Sequence, residues 1–279
     1  MNIGSTLQTL KAMHFSAKAA EYEKQLSDPQ EFSKMSFDDR VALLVDTEWN
    51  RRQLNKLKKL ILNANFSVSN ACLEDIEYYP DRKLNKSDLW GFATCHYIEQ
   101  GNHIIIKGAS GCGKTYLACA FGVSACRKFK KVRYIRLPEL LDEFFLARAT
   151  GAFRKIISEY KKVDLLILDD WLLRKLNDEQ AHDVLELVEY RSRSSKRSGG
   201  VSTIFCTQYN EDEWYERIAQ PNEENAPETD AILDRSVHNS HVINIEGMSM
   251  RQRHGLDAPK GQGHLLFDST RGSAPDPGV

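Results

Sequence analysis

The stretch Ile104-Ile105-Ile106-Lys107-Gly108-Ala109-Ser110-Gly111-Cys112-Gly113-Lys114-Thr115-Tyr116-Leu117-Ala118 decides the fold. An apolar run suited to a buried strand leads into G-x-x-x-x-G-K-[ST], and a helix-forming run follows at once. That is the strand, loop and helix context of a phosphate-binding loop. Gly108, Gly111 and Gly113 free the backbone to turn successive N–H groups inward around a phosphate. The helix opening at Lys114 aims its positive end the same way. On this reading Lys114 reaches the β- and γ-phosphates of a nucleoside triphosphate and the Thr115 hydroxyl holds Mg²⁺. The nucleotide-contacting set is Gly108, Ala109, Ser110, Gly111, Cys112, Gly113, Lys114, Thr115 and Tyr116. A chance Gly-rich turn ending in Lys-Thr is the weaker reading, because every fixed position and both flanks agree.

Downstream of this stretch, apolar runs alternate with helical patterns. Strands are expected at 103–107, 132–137, 163–168, 201–206 and 242–245, and helices at 114–128, 138–147, 152–160, 178–194 and 229–238. Such alternation argues for an α/β fold with a parallel sheet and crossover helices, whose ligands bind at the carboxyl ends of the strands. The third strand, Leu165-Leu166-Ile167-Leu168, ends in Asp169-Asp170. Asp169 is expected to hold the Mg²⁺ hydration shell opposite Thr115, and Asp170 to polarise the attacking water as a general base. The fourth strand ends in Thr207-Gln208, where Gln208 could hydrogen-bond the γ-phosphate or that water.

Upstream, residues 1 to about 62 read as helical, with Asp28-Pro29 ending one run and Ser36-Phe37-Asp38-Asp39 starting another. Arg40, Arg51, Arg52, Lys56, Lys58 and Lys59 against Asp46 and Glu48 give a net +4 over residues 40 to 62. This is either a solvated helix face or a phosphate-contacting one. Trp49 among them is either core or a contact residue. A connecting region follows, with a turn expected at Tyr79-Pro80-Asp81 and a helix from Ser87 to Glu99, started by Ser87 or Asp88. The expected organisation is a helical N-terminal domain over 1–66, an ATPase domain over 67–256 and a disordered tail over 257–279.

Charged residues make up 28% and hydrophobic ones 41%, the balance of a soluble globular chain. No apolar run has the length of a membrane span and no signal peptide opens the chain, so a cytoplasmic protein without a membrane partner is expected. Six cysteines include no C-x-x-C pair, which favours reduced thiols over disulfides or zinc. His238 and His241 lack a third ligand. A net charge of −1 means that any nucleic-acid contact must come from a local patch.

Four segments together resemble one family: 108–118, Asp164 to Asp170, Thr207-Gln208-Tyr209-Asn210-Glu211-Asp212-Glu213-Trp214, and Asp230-Ala231-Ile232-Leu233-Asp234-Arg235-Ser236-Val237-His238-Asn239-Ser240-His241. They are similar to the IstB family of AAA+ ATPases, helpers of insertion-sequence transposases and relatives of the helicase loader DnaC. The resemblance runs from about residue 5 to 256. It implies a P-loop AAA+ core behind a helical N-terminal domain, ATP and Mg²⁺ as cofactors, and a homo-oligomer assembling on double-stranded DNA to recruit or activate a cognate transposase. Residue by residue it implies Lys114 and Thr115 in the first nucleotide motif, Asp169 and Asp170 in the second, Gln208 as first sensor and Arg235 as the arginine inserted into a neighbouring subunit's site. In the loader relatives the helices corresponding to 138–160, here with Arg148, Arg154 and Lys155, face DNA. The basic loop 191–200 is a further candidate.

Two departures from the family pattern are visible. Asp170 stands where many AAA+ proteins have Glu, and no helical lid is legible after Ile245, leaving Arg251 as a candidate second sensor. The alternatives are a DnaC-like helicase loader, a small-molecule kinase, and a scaffold that binds ATP and barely hydrolyses it.

Overall fold

Ile104, Ile105 and Ile106 are all fully buried, although consecutive side chains of a strand point to opposite faces of a sheet. Both faces must therefore be covered, which is the condition under which parallel sheets occur. The computed structural model, which describes residues 3–195, 200–218 and 226–255, shows this arrangement. Strands β1 (His103–Gly108), β2 (Val132–Arg136), β3 (Leu165–Asp169), β4 (Ser202–Thr207) and β5 (Ser240–Ile245) form one sheet in the order β2-β3-β4-β1-β5. Every pairing is parallel.

Helices α1 (Ile3–Ala12), α2 (Ser16–Ser27), α3 (Pro29–Phe32) and α4 (Phe37–Ala64) precede the sheet, followed by α5 (Lys86–Ala93) and α6 (His96–Gln100). The crossovers are α7 (Lys114–Arg127), α8 (Leu137–Ala149), α9 (Phe153–Lys161), α10 (Asp178–Ser195), α11 (Glu211–Ile218) and α12 (Ala226–Val237), and the short α13 (Met250–Arg253) comes last. On one face Leu117, Ala118 and Phe121 of α7 pack with Ile104, Ile106, Ile167 and Cys206. Leu57, Leu60 and Ile61 of α4 lean on the same cluster, so the second half of α4 is part of the core that covers the sheet. On the other face Ile105, Leu166, Leu168 and Phe205 meet α8, α10 and α12, with Trp171 and Trp214 stacked edge-on behind the end of β3.

Local differences from the sequence expectation have physical causes. The helix expected over 87–99 is two helices, because Cys95 takes the left-handed conformation (φ 64°) after Thr94 turns its hydroxyl onto Gly91 O. Its start is capped by Asn85, whose side chain accepts from the Ser87 N–H, rather than by Ser87 or Asp88. The first helical run breaks at His14 (φ 60°). Ser36 caps α4 as its sequence suggests. Trp49 is 60% exposed and so is not core. The stretch expected to be a tail, 257–279, lies outside the described residues.

Arg191, placed by sequence in a flexible basic loop, is instead buried at the amino end of the sheet. Its guanidinium donates to Thr203 Oγ1 (2.9 Å), to the carbonyls of Tyr160 (2.9 Å) and Val163 (3.0 Å), and to Ser202 O. It ties the end of α9 to the starts of β3 and β4. Desolvation lowers its pKa to about 9, which still leaves it charged at neutral pH. Residues 196–199 of that loop lie outside the described residues.

The N-terminal helices are joined by Glu48, which is 4% exposed. It accepts from the N–H groups of Ala17 and Lys18 at the start of α2 and from Arg51 and Arg52 one turn on. The Arg51 hydrogen bond, with those of Arg52 and the Lys18 N–H, lowers its pKa to about 2. Two of the six basic residues counted on this helix are thus spent on an internal carboxylate.

Acid sensitivity should begin at His103. It is 2% exposed, its Nδ1 accepts from the Thr203 N–H at 3.2 Å, and burial, with Arg191 nearby, lowers its pKa from 6.5 to about 4. Between those values the unfolded chain takes up a proton that the folded chain refuses. Stability is therefore complete above pH 6.5 and falls as pH drops toward 4, by up to about 3 kcal/mol. Glu48 acts in a separate window, its contribution present above about 4.5 and lost toward 2. Urea unfolding midpoints at pH 7.5 and pH 5 measure the first window, and His103→Asn should flatten it.

Candidate nucleotide site

The carboxyl ends of the strands build the site. After β1 the loop turns through Gly111 (φ 80°) and Gly113 (φ 99°), angles that side chains rarely adopt, and Gly113 caps α7. Lys114 Nζ lies back along the loop and donates to the carbonyls of Gly108 (2.7 Å) and Ala109 (2.8 Å). The Thr115 hydroxyl donates to Asp169 Oδ2 at 2.6 Å, joining the loop after β1 to the acid that ends β3.

Sheet order explains which other groups arrive. Because β4 lies between β1 and β3, its end brings Thr207 and Gln208 between the loop and the acids. The next strand out, β2, contributes two side chains from one face. Tyr134 donates its hydroxyl to Asp169 Oδ2 at 2.8 Å, and Arg136 donates to Asp170 Oδ2 at 2.6 Å. The Asp170 hydrogen bond raises the pKa of Arg136. Asp170 has a left-handed backbone (φ 51°), and its N–H donates to Asp169 Oδ1 at 2.9 Å. The following residue is fixed to β4 by Trp171 N–H to Cys206 O (2.8 Å) and Thr207 Oγ1 to Trp171 O (3.1 Å).

These groups surround a cavity of about 750 Å³. Ser110, Gly111, Gly113, Lys114, Thr115, Tyr116, Asp169, Asp170 and Gln208 all line it. Gly108, Ala109 and Cys112 belong to the loop but not to the lining, and Cys112 is buried beneath it. Tyr134, Arg136, Met250 and Arg251 line it as well. A narrower, largely apolar cleft of about 270 Å³ adjoins it, sharing Gly113, Tyr116 and Met250 and walled by Ile76, Leu84 and Leu117. The converging hydroxyl of Thr115 and carboxylate of Asp169 are hard oxygen donors of the kind Mg²⁺ takes. They could hold that ion with the phosphates, where it would neutralise phosphate charge.

Arg235 is not in the lining. It sits on α12, donates to Ala231 O at 2.9 Å and pairs with Glu189 of α10 at 3.5 Å rather than with Asp230 or Asp234. Arg148 is paired with Asp183 and Glu179 and lies over the Phe153 ring. Arg154 and Lys155, on α9, are exposed, as are Phe145 and Leu146 of α8, at 68% and 63%. Tyr134 and Arg136 were not found from sequence. Their two-residue spacing at a strand end was the available signal, but only the strand order shows that β2 neighbours β3.

The chain matches the IstB-like ATP binding protein family over residues 5–258. It is 35% identical over 247 residues to an insertion-sequence ATP-binding protein of Sinorhizobium fredii, covering 88% of this chain and 96% of that one. It is also 35% identical over 203 residues to the ATP-binding protein of insertion sequence IS1162 from Pseudomonas fluorescens, covering 73% and 85%. Among solved structures, AMPPCP-bound DnaA from Aquifex aeolicus aligns with a TM-score of 0.54 at 19% identity, over 65% of this chain and 52% of that one. DnaI aligns with a TM-score of 0.52 at 19% identity, over 69% and 92%. The structural likenesses establish the AAA+ fold alone, whereas the family match is of sequence along most of the chain. This chain belongs to the IstB-like ATP-binding family.

Proposed function

We propose that the protein is an ATP-hydrolysing helper of an insertion-sequence transposase, which assembles with copies of itself on double-stranded DNA. The observation that carries this is the gathering of Lys114, Thr115, Asp169, Asp170 and Gln208 on one cavity while Arg235 stands on an outer helix. The triphosphate would lie along the loop in the larger cavity, with the base in the adjoining apolar cleft. Lys114 would leave the Gly108 and Ala109 carbonyls for the phosphate oxygens, which are stronger acceptors for an ammonium.

Hydrolysis needs a water whose oxygen bonds the γ-phosphorus as the bond to the β-γ bridging oxygen breaks. Asp170 would orient that water and take its proton, and Gln208 would hold it in line. Arg136 competes for the same Asp170 oxygen, so the pair must loosen for the carboxylate to act. Arg235, away from its own cavity, would stabilise charge on the phosphoryl group of a neighbouring copy. The exposed Arg154 and Lys155 are the DNA-facing candidates, and phosphate contacts from them would be sequence-tolerant and salt-sensitive. Among the described residues no helix is long and apolar enough to cross a membrane.

Three expectations test this reading. Lys114→Ala should weaken ATP binding by about tenfold to a hundredfold in a titration with fluorescent nucleotide; unchanged affinity would remove the loop from the site. Tyr134→Phe should raise the Mg²⁺ concentration for half-maximal nucleotide binding by about tenfold, with Mg²⁺-free binding unaltered, because a group that orients a metal ligand is lost. Finally, ATPase rate and assembly size are to be measured with and without duplex DNA at two salt concentrations. Stimulation that fades with salt is expected, and Arg235→Ala should lower the rate by roughly 10³-fold and poison mixtures with native chains. A chain that stays single with ATP and DNA, or a variant that leaves mixtures active, contradicts the assembly.

A further inference from the structure

Between Glu246 and His254 the chain leaves β5 and runs back across the phosphate-binding loop. The Met250 N–H donates to Gly111 O at 2.9 Å, so this segment touches the loop itself. Met250 and Arg251 line the larger cavity, and Met250 with His254 closes one wall of the apolar cleft beside it. Sequence offers no helical lid here; the structure offers a strap of nine residues laid over the same place.

What holds the strap down is the turn 79–82. One oxygen of Asp81, Oδ2, accepts from the Met248 N–H at 3.0 Å and from the Arg253 guanidinium. These two donors bracket Met250 and Arg251, so a single carboxylate pins the strap on both sides of its cavity-lining residues. Arg253 also lies over the Tyr79 ring, 4.2 Å from its centre. Gly247 allows the close approach: its φ is 86°, and a Cβ there would overlap the Asp81 carboxylate. The same turn also grips the loop, since Arg82 donates to Cys112 O at 2.9 Å and, within its own segment, to Glu77 O at 2.6 Å. Farther along the strap, His254 Nε2 is 3.0 Å from Glu77 Oε2. At the root of the strap the Glu246 N–H donates to Arg82 O at 3.3 Å and the Glu246 carboxylate pairs with Lys83 at 2.7 Å. Loop, turn and strap are therefore cross-tied, and beyond that root Asp81 is the side chain of the turn that holds the strap on both sides of Met250.

We propose that residues 246–254 retain bound nucleotide, and that Asp81 is the latch whose grip on Met248 and Arg253 sets how fast nucleotide leaves. This rests on the nucleotide reading of the cavity. A ligand seated along the loop with its base in the cleft would lie against Met250 and His254, so lifting the strap would widen its way out. Lifting breaks both Asp81 contacts. Entry would be affected less, because a nucleotide that arrives while the strap is lifted meets the same loop in the variant as in the native chain.

Stopped-flow measurement of N-methylanthraniloyl-ADP association and dissociation, on the full chain with Mg²⁺, separates the two rates. Asp81→Ala should raise the dissociation rate about tenfold, the effect of losing one or two charge-assisted hydrogen bonds, with association within about twofold of native. Asp81→Asn keeps an acceptor oxygen for Met248 and should fall between. Should Asp81→Ala fail to fold by circular dichroism, Arg253→Ala removes one of the two contacts and should still speed dissociation by about threefold. Native dissociation rates in folded variants, or a loss confined to association, overturn the latch. If the native chain and Lys114→Ala bind the probe equally, the nucleotide reading itself has failed, a different result from normal binding with an unlatched strap.

Discussion

In an all-parallel sheet every strand ends at the same edge, and with both faces covered that edge is where backbone and polar side chains can meet a ligand without being buried unpaired. Here the constraint acts through one inserted strand. Because β4 pairs with β1 on one side and β3 on the other, the loop after β1 and the acids after β3 stand one strand apart, with Thr207 and Gln208 between them. The 2.6 Å hydrogen bond from Thr115 to Asp169 crosses that space. Moving β4 elsewhere in the order would leave the same motifs in the sequence but no shared cavity.

This explains what could be read in advance. A phosphate-binding loop is a local object, set by glycines and the helix start, and an acid after an apolar run is equally local. Residues 108–116, Asp169 and Asp170 are therefore open to reading one segment at a time, whereas Gln208 is a weak signal in its own segment and takes its meaning from the place of β4. Tyr134 and Arg136 are not, since their meaning depends on which strand lies beside β3 and in what register; Arg136 stands opposite Asp169 only in the folded sheet. Arg191 misleads for a related reason. Its neighbours Arg193, Lys196 and Arg197 suggest a solvated basic loop, yet five N–H donors in a fixed fork suit it to a place where three chain segments end and carbonyls converge. Charge runs in sequence do not distinguish a phosphate contact from an internal clamp.

Three charged groups to which the proposed reading gives roles are already partnered in the single chain. Lys114 rests on loop carbonyls, Asp170 on Arg136 and Arg235 on Glu189. On the proposed reading each of the three exchanges its present partner for a phosphate, a water or a neighbouring subunit. A side chain that gives up one partner for another keeps most of its hydrogen-bond energy, so the exchange can be driven by modest differences in affinity rather than by creating an unpaired charge. An isolated subunit arranged in this way is restrained by its own ion pairs.

Helix α4 extends that argument beyond the sheet. Its first half carries α2 through the Glu48 cluster, and its second half is packed into the core by Leu57, Leu60 and Ile61, with no break in its 28 residues. Near its end the carbonyl of Asn63 accepts from Arg133, the residue before Tyr134 on the strand that holds both acids. A contact path is not by itself coupling. An unbroken helix does, however, remove the usual place where a rotation is absorbed, a flexible linker. Any reorientation of the N-terminal helices must be met by bending α4 or by shifting its packing beside β2, and interior packing resists small displacements because it is dense. The strand that orients Asp169 and restrains Asp170 is thus the part of the sheet that the N-terminal helices cannot move without disturbing.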